Sequence, residues 1–367
     1  MKITRISTWA VALPADEPLA DAVENPDATR PTVALELETS SGIIGIGVTF
    51  LGGPLTRTLR RAVQQLGELI LGRDAADIDA IVAYLHRLAG GSGPAGIFTL
   101  ALSAIEIALW DIKGKAESQP LWRLAGADGS PVPAYASGAM MRGIDTDRAV
   151  SSARRLVENG FTAMKFQLAL DGGTPETEEL RARLIREAVG PDIQLMCDAN
   201  QRWDYETALD VGRRLEAYDL AWIEDPIAHD DQAGLARLAS ALKTPIAAGE
   251  YLYGLSSFRH LIAAQGLDIV MIDPFRAGGI GRWLEIARLA DRHGLRAVSH
   301  LAPEIQLHLI NAVPNGWTVE YMPWFNSLYE EVAWPKKGYL EMPQRPGLGV
   351  SFDRAALKRF ELERETT

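Results

Sequence analysis

From residue 132 onward the chain repeats one unit: a short apolar run, a turn, then a segment with apolar residues three and four apart. The runs at 132–137, 161–167, 193–198, 220–224, 244–250, 268–272, 295–300 and 317–320 predict eight strands. Helices are predicted between them near 145–159, 175–188, 204–217, 231–242, 255–265, 280–293 and 303–312. Strands alternating with helices make a parallel sheet, and eight units at this spacing fit a closed barrel better than an open doubly wound sheet. No glycine fingerprint for a dinucleotide follows the first strand of the array, which also counts against the open sheet.

Residues 1–128 are patterned differently. Residues 32–39 alternate apolar with polar, break at Ser41-Gly42 and resume at 43–50, a hairpin signal that joins 3–13 in a small antiparallel sheet. Three helices follow at 55–71, 76–88 and 97–115. The chain therefore divides into an α+β unit at 1–128, a barrel at 129–322 and an irregular tail at 323–367. The tail carries a polar helix-like stretch at 354–364 and is expected to return over the first unit.

Composition narrows the class of partner. With 37 Lys and Arg against 48 Asp and Glu the formal charge is −11, the wrong sign for nucleic acid or an anionic membrane surface. Cys197 is the only cysteine, so neither an intrachain disulfide nor a cysteine-based metal cluster can form. Strand alternation points it away from the neighbouring Asp198, as a packed apolar residue. No leader-like N-terminus and no run of 18 uncharged apolar residues is present, so the expectation is a soluble cytoplasmic protein.

The chemistry lies at the strand ends, because loops at the C-terminal ends of barrel strands build the active site. Those ends are Ser137, Lys165 with Gln167, Asp198 with Asn200, Glu224, Glu250, Asp273, His300 and Glu320. Asp198, Glu224 and Glu250 end three consecutive strands about 4.8 Å apart, where ionised groups repel unless a cation lies between them. A hard divalent ion, most simply Mg²⁺, suits oxygen ligands and keeps positions open for substrate. The bland alternative gives each acid a helix to cap or a surface arginine.

Lys165 and His300 flank the acids. Asp273, one strand before His300, can hold one ring nitrogen and leave the other as a general base near neutral pH. His86, His229, His260, His293 and His308 are assigned to structure. Glu320 either donates a hydrogen bond to a developing oxyanion as a neutral carboxyl or forms a salt bridge with Lys165 across the barrel. Ser137, Asn200 and Tyr251 are either ligand contacts or loop caps. The polar loop 16–30 is a candidate substrate lid, with Arg30 either binding a distal carboxylate or solvating the loop, and Phe50-Leu-Gly-Gly-Pro is a second candidate lid.

In this order and spacing, Lys165-Phe-Gln167, Asp198-Ala-Asn200, Glu224-Asp-Pro226, Gly249-Glu250, Asp273, His300 and Glu320 resemble the enolase superfamily and, within it, the mandelate racemase subgroup. The resemblance spans essentially the whole chain. It implies a modified (β/α)8 TIM barrel of (β/α)7β type, an N-terminal α+β capping domain completed by the C-terminal tail, one Mg²⁺ per active site and a homo-oligomer, from dimer to octamer. It further implies a small-molecule carboxylate substrate bound to Mg²⁺, loss of the proton α to the carboxylate, and an enolate stabilised by the metal with Lys165 and Glu320.

The departure is at residue 167, where members of the subgroup commonly carry a second lysine as the base opposite the histidine. Gln167 cannot abstract a proton and is left as a polar contact for a substrate hydroxyl; Lys165 is either a base or only an electrostatic contact. One clear base, His300, fits dehydration of a sugar acid. The alternatives are a racemase, epimerase or cycloisomerase on a hydroxy acid or sugar-acid lactone, and a non-catalytic metal-containing binding protein.

Overall fold

A computed structural model of the 367-residue chain describes residues 1–15, 19 and 28–362. The alternating N-terminal pattern forms an antiparallel sheet, β1 (Ile3–Pro14), β2 (Thr29–Thr39) and β3 (Ile44–Thr49), in the order β1-β2-β3. Helices α1 (Thr56–Glu68), α2 (Ile78–Ala89) and α3 (Ile97–Glu117) follow. Helix α3 is buried along most of its length, and β3 admits it through glycines. A Cβ at Gly47 would stand 2.0 Å from the Ala104 carbonyl oxygen, so only glycine permits the approach.

After α4 (Leu121–Ala125) come the strands β4 (Val132–Ala136), β5 (Ala163–Gln167), β6 (Gln194–Asp198), β7 (Leu220–Glu224), β8 (Ile246–Ala248), β9 (Ile269–Ile272), β10 (Arg296–Ser299) and β11 (Val319–Tyr321). They are parallel, in the order β10-β9-β8-β7-β6-β5-β4-β11. Backbone bonds from Ala297 N to Asn315 O and from Trp317 N to Ala297 O, each 2.9 Å, close the ring between β10 and the residues leading into β11.

Between the strands run α5 (Thr146–Glu158), α6 (Pro175–Val189), α7 (Tyr205–Leu215), α8 (Gln232–Ala241), α9 (Gly254–Ala263), α10 (Pro274–Ala277), α11 (Ile280–Arg292) and α12 (Pro303–Ile310). Side-chain caps fix several starts: Asp145, Thr174, Asp204 and Asp231 accept from backbone N–H groups three residues on, before α5 to α8. Helices α4 and α10, of five and four residues, are too short for a 3.6-residue period to mark.

The tail runs beside β1, with Ala12 N donating to Phe360 O and Leu362 N to Ala10 O at 2.8 Å each. It also adds β12 (Tyr339–Leu340) antiparallel to β4, a contact that its irregular sequence does not announce. Its last helix, α13 (Arg354–Arg359), is shorter than the stretch predicted at 354–364. No helix among the described residues is long and apolar enough to cross a membrane.

Glu106 joins α3 to the barrel. Its carboxylate accepts from Ile280 N at 2.6 Å and Gly281 N at 2.8 Å, at the start of α11, and from Trp110 Nε1 at 2.9 Å. Glu106→Ala leaves three donors without their acceptor and is expected to lower unfolding free energy in urea by about 2–4 kcal/mol, since a buried orphan such as Ile280 N costs about 1–3 while the partly buried Gly281 and Trp110 donors can turn to water. A loss under about 0.5 kcal/mol, the range of an ordinary surface change, would contradict this role.

Candidate active site

Alternate side chains of each barrel strand point inward. Tyr135, Ala163, Met196, Trp222, Ala247, Ile269, Met271 and Val298 fill the interior as one apolar cluster. Two residues beyond Ala163, Met196, Trp222, Met271 and Val298, the same alternation brings Lys165, Asp198, Glu224, Asp273 and His300 above that layer. Glu320 lies between Val319 and Tyr321, which belong to the outer core. Cys197 is buried in that outer core too, on the face away from Asp198. Glu250 follows β8 rather than ending it: Gly249, at φ 131°, turns the chain where a Cβ would meet Met271 O at 2.5 Å.

The acids and cations interlock. Lys165 Nζ stands 2.5 Å from Glu224 Oε1 and 2.7 Å from Glu320 Oε1. Burial pulls Lys165 down, but the charges of Glu224 and Glu320 outweigh it and hold the ammonium well above the usual lysine range. Trp222 Nε1 donates to the other oxygen of Glu224 at 3.0 Å, and Leu301 N to Glu320 Oε2 at 2.7 Å. Against the pull of burial, the Lys165 and His300 charges keep Glu320 below its ordinary value. Its contact with Lys165 has the geometry of the salt-bridge alternative.

His300 Nδ1 is 2.8 Å from Asp273 Oδ2, and its Nε2 is 3.2 Å from Glu250 Oε2. Asp273 Oδ1 accepts from Phe275 N and Arg276 N, so α10 fixes the carboxylate that fixes the ring. Burial lowers the imidazole, but the Glu250 charge and the Asp273 hydrogen bond raise it to about 9.

Asp198 is pushed up to about 6 by burial, with Lys165 opposing and Glu250 adding to the rise. Burial and neighbouring carboxylates likewise raise Glu224, against Lys165. Asp225, in the left-handed region at φ 38°, has both carboxyl oxygens buried without a hydrogen-bond partner among the described residues. Asp198, Glu224 and Glu250 are buried carboxylates whose oxygens suit a hard divalent cation, with Asp225 buried beside them. Among the described residues no three potential ligands yet converge as a finished cage, since Glu224 is drawn to Lys165 and Glu250 to His300.

The remaining candidates are placed as follows. Ser137 is buried, its N–H donating to Tyr321 O. Gln167 Oε1 accepts from Arg142 N and Nε at 3.2 and 3.3 Å, and its Nε2 donates to Asn200 Oδ1 at 2.9 Å. Arg142 Nη2 also donates to Asn200 Oδ1. Tyr251 stacks on His229, with Arg276 over its ring.

Most of the candidate lid 16–30 lies outside the described residues. Arg30, on β2, donates to Pro14 O and lies over the Trp324 ring at 4.4 Å, so its guanidinium is engaged within the protein. Phe50 packs edge-on against Trp324 and Phe325. Two site residues escape sequence reasoning: Asp225, whose only signal is its place beside Glu224, and Arg142, whose only signal is its position in the loop after the first barrel strand.

Residues 4–126 match the mandelate racemase/muconate lactonizing enzyme N-terminal domain, and residues 148–356 match the enolase C-terminal domain-like family. The chain is 33% identical over 355 residues to the L-talarate/galactarate dehydratase of Salmonella typhimurium, covering 95% of this chain and 89% of that enzyme. It is 31% identical over 370 residues to the 3,6-anhydro-alpha-L-galactonate cycloisomerase of Streptomyces coelicolor, covering 98% and 99% of the two chains. Among solved structures, L-talarate dehydratase from Polaromonas, complexed with Mg and L-glucarate, superimposes with a TM-score of 0.89. The two share 30% identity, with 99% of this chain and 98% of that one covered.

Proposed function

Because the chain belongs to the mandelate racemase/muconate lactonizing enzyme family, we propose that it is a Mg²⁺-dependent lyase that removes the proton α to the carboxylate of a sugar acid and expels water. Asp198, Glu224 and Glu250 would hold the cation, which when bound would polarise the substrate carboxylate and make its α-proton acidic enough to remove. His300, oriented by Asp273 through Nδ1, takes that proton with Nε2. Lys165, positioned by Glu320, adds positive charge where the enolate develops. The observation that carries the reading is the His300–Asp273 pair at 2.8 Å, set beside buried carboxylates at the barrel mouth.

Gln167 bears no titratable group, so the usual opposite-face base is missing and racemisation is disfavoured. The His300 imidazolium that forms can protonate the departing 3-hydroxyl. The enol then takes a proton at C3 and becomes a 2-keto-3-deoxy acid. The test is to incubate the Mg²⁺-loaded protein with a panel of sugar acids and assay keto acid. Formation that stops on chelation with EDTA is expected; no keto acid across the panel contradicts the proposal. Cycloisomerisation is the second reading, favoured by the full-length match to a cycloisomerase, and it yields a product of unchanged mass.

A further inference from the structure

A guanidinium at the mouth of a barrel full of acids would be expected to carry a carboxylate partner, because a desolvated charge is costly without a counter-ion. Arg142 has none among the described residues. Its side chain donates only to uncharged oxygens: Gln167 Oε1 at 3.3 Å, Ala169 O at 3.4 Å, Ala199 O at 3.3 Å and Asn200 Oδ1. Arg181 and Arg186 are likewise bound only by uncharged oxygens, but both belong to helix α6 rather than to a loop at the strand ends. Arg142 is half-buried and, apart from its close contact with Asn200, is held at 3.3–3.4 Å, with one Nη2 N–H left over.

Its position is set by Gln167. Gln167 receives both the backbone N–H and Nε of Arg142, then passes a bond to Asn200, whose N–H donates to Asp198 Oδ1 at 2.7 Å. Gln167 thus braces a permanent cation. Lys165 is already compensated by Glu224 and Glu320, and Arg30 is engaged with Trp324 and Pro14. The Asp198 charge reaches Arg142 without forming a salt bridge with it, so the guanidinium keeps room for a direct carboxylate partner.

We propose that Arg142 binds a second, distal carboxylate, so that the substrate is a diacid rather than a monoacid. This rests on the dehydratase reading and adds the substrate class. A guanidinium–carboxylate pair of this kind is worth about 10- to 100-fold in affinity.

The experiment compares a six-carbon sugar diacid with the monoacid of the same configuration, each with Mg²⁺, in the wild type, Arg142→Gln and Arg142→Lys. The wild type is expected to favour the diacid in kcat/KM. Arg142→Gln lowers the diacid-to-monoacid ratio about 10- to 100-fold, chiefly through KM of the diacid, and Arg142→Lys recovers part of it. A wild-type preference for the monoacid, or equal losses on both acids in Arg142→Gln, overturns the proposal. If neither acid is turned over, the dehydratase reading has failed on its own account. The ratio is then read from calorimetric dissociation constants with Mg²⁺ present, where a diacid preference that is absent, or that survives Arg142→Gln, overturns the assignment to Arg142.

Discussion

His300→Asn is expected to lower kcat by about 10²- to 10⁴-fold, the contribution of a positioned general base. Asparagine keeps a polar group facing Asp273 but cannot accept the α-proton, so folding and Mg²⁺ binding should survive while turnover does not. The pH dependence follows from the same contacts. His300 acts as a base only when neutral, so kcat/KM rises with pH through its pKa. The Glu250 charge and the Asp273 hydrogen bond hold that pKa near 9 in the metal-free protein, against the effect of burial. Asp273→Asn removes one raising influence, so the acid limb should move to lower pH even as the rate falls. A limb that stays in place, or full activity in His300→Asn, would contradict the assignment of the base.

Asp198→Asn is expected to weaken Mg²⁺ binding by more than about 100-fold, beyond what outer-shell changes cost. It should also raise the melting temperature of the metal-free protein at neutral pH. The sign follows from linkage. Burial lifts Asp198 from 3.8 to about 6, so ionising it costs folding free energy, in full above that value and progressively less as pH falls through it. Asparagine removes that cost, so the gain should be largest above pH 6 and vanish below the unfolded value of 3.8. Isothermal titration with Mg²⁺ and thermal melting across pH measure both halves. Unchanged Mg²⁺ affinity in the variant would contradict a ligand role for Asp198.

The barrel and its charged rim were legible because two periodicities coincide in the sequence. Apolar runs locate the strands, and a period of two carries the inward face from Ala163 to Lys165, from Met196 to Asp198 and from Val298 to His300. The helix starts expected near 145, 175, 204 and 231 fall at or beside Asp145, Thr174, Asp204 and Asp231, which cap them in the structure. What stayed hidden depends on contacts between distant segments. Arg142 stands in a loop with no periodic neighbour, and only the folded chain brings it against Gln167 and Asn200, residues 25 and 58 positions away. Whether Lys165 reaches Glu320 is a distance no strand pattern contains. Helix α10, which anchors Asp273, is a single turn and leaves no periodic trace.

The central claim is that one base, His300, acts on one face of the α-carbon and that the chemistry ends in loss of water. Proton NMR of an accepted sugar acid, incubated with the Mg²⁺-loaded protein in D₂O, tests it most directly. The account predicts a 2-keto-3-deoxy acid with one deuterium at C3 and no epimer of the starting acid at any time. An epimer accumulating with deuterium at the α-carbon and no loss of water would show a second base opposite His300 and contradict it.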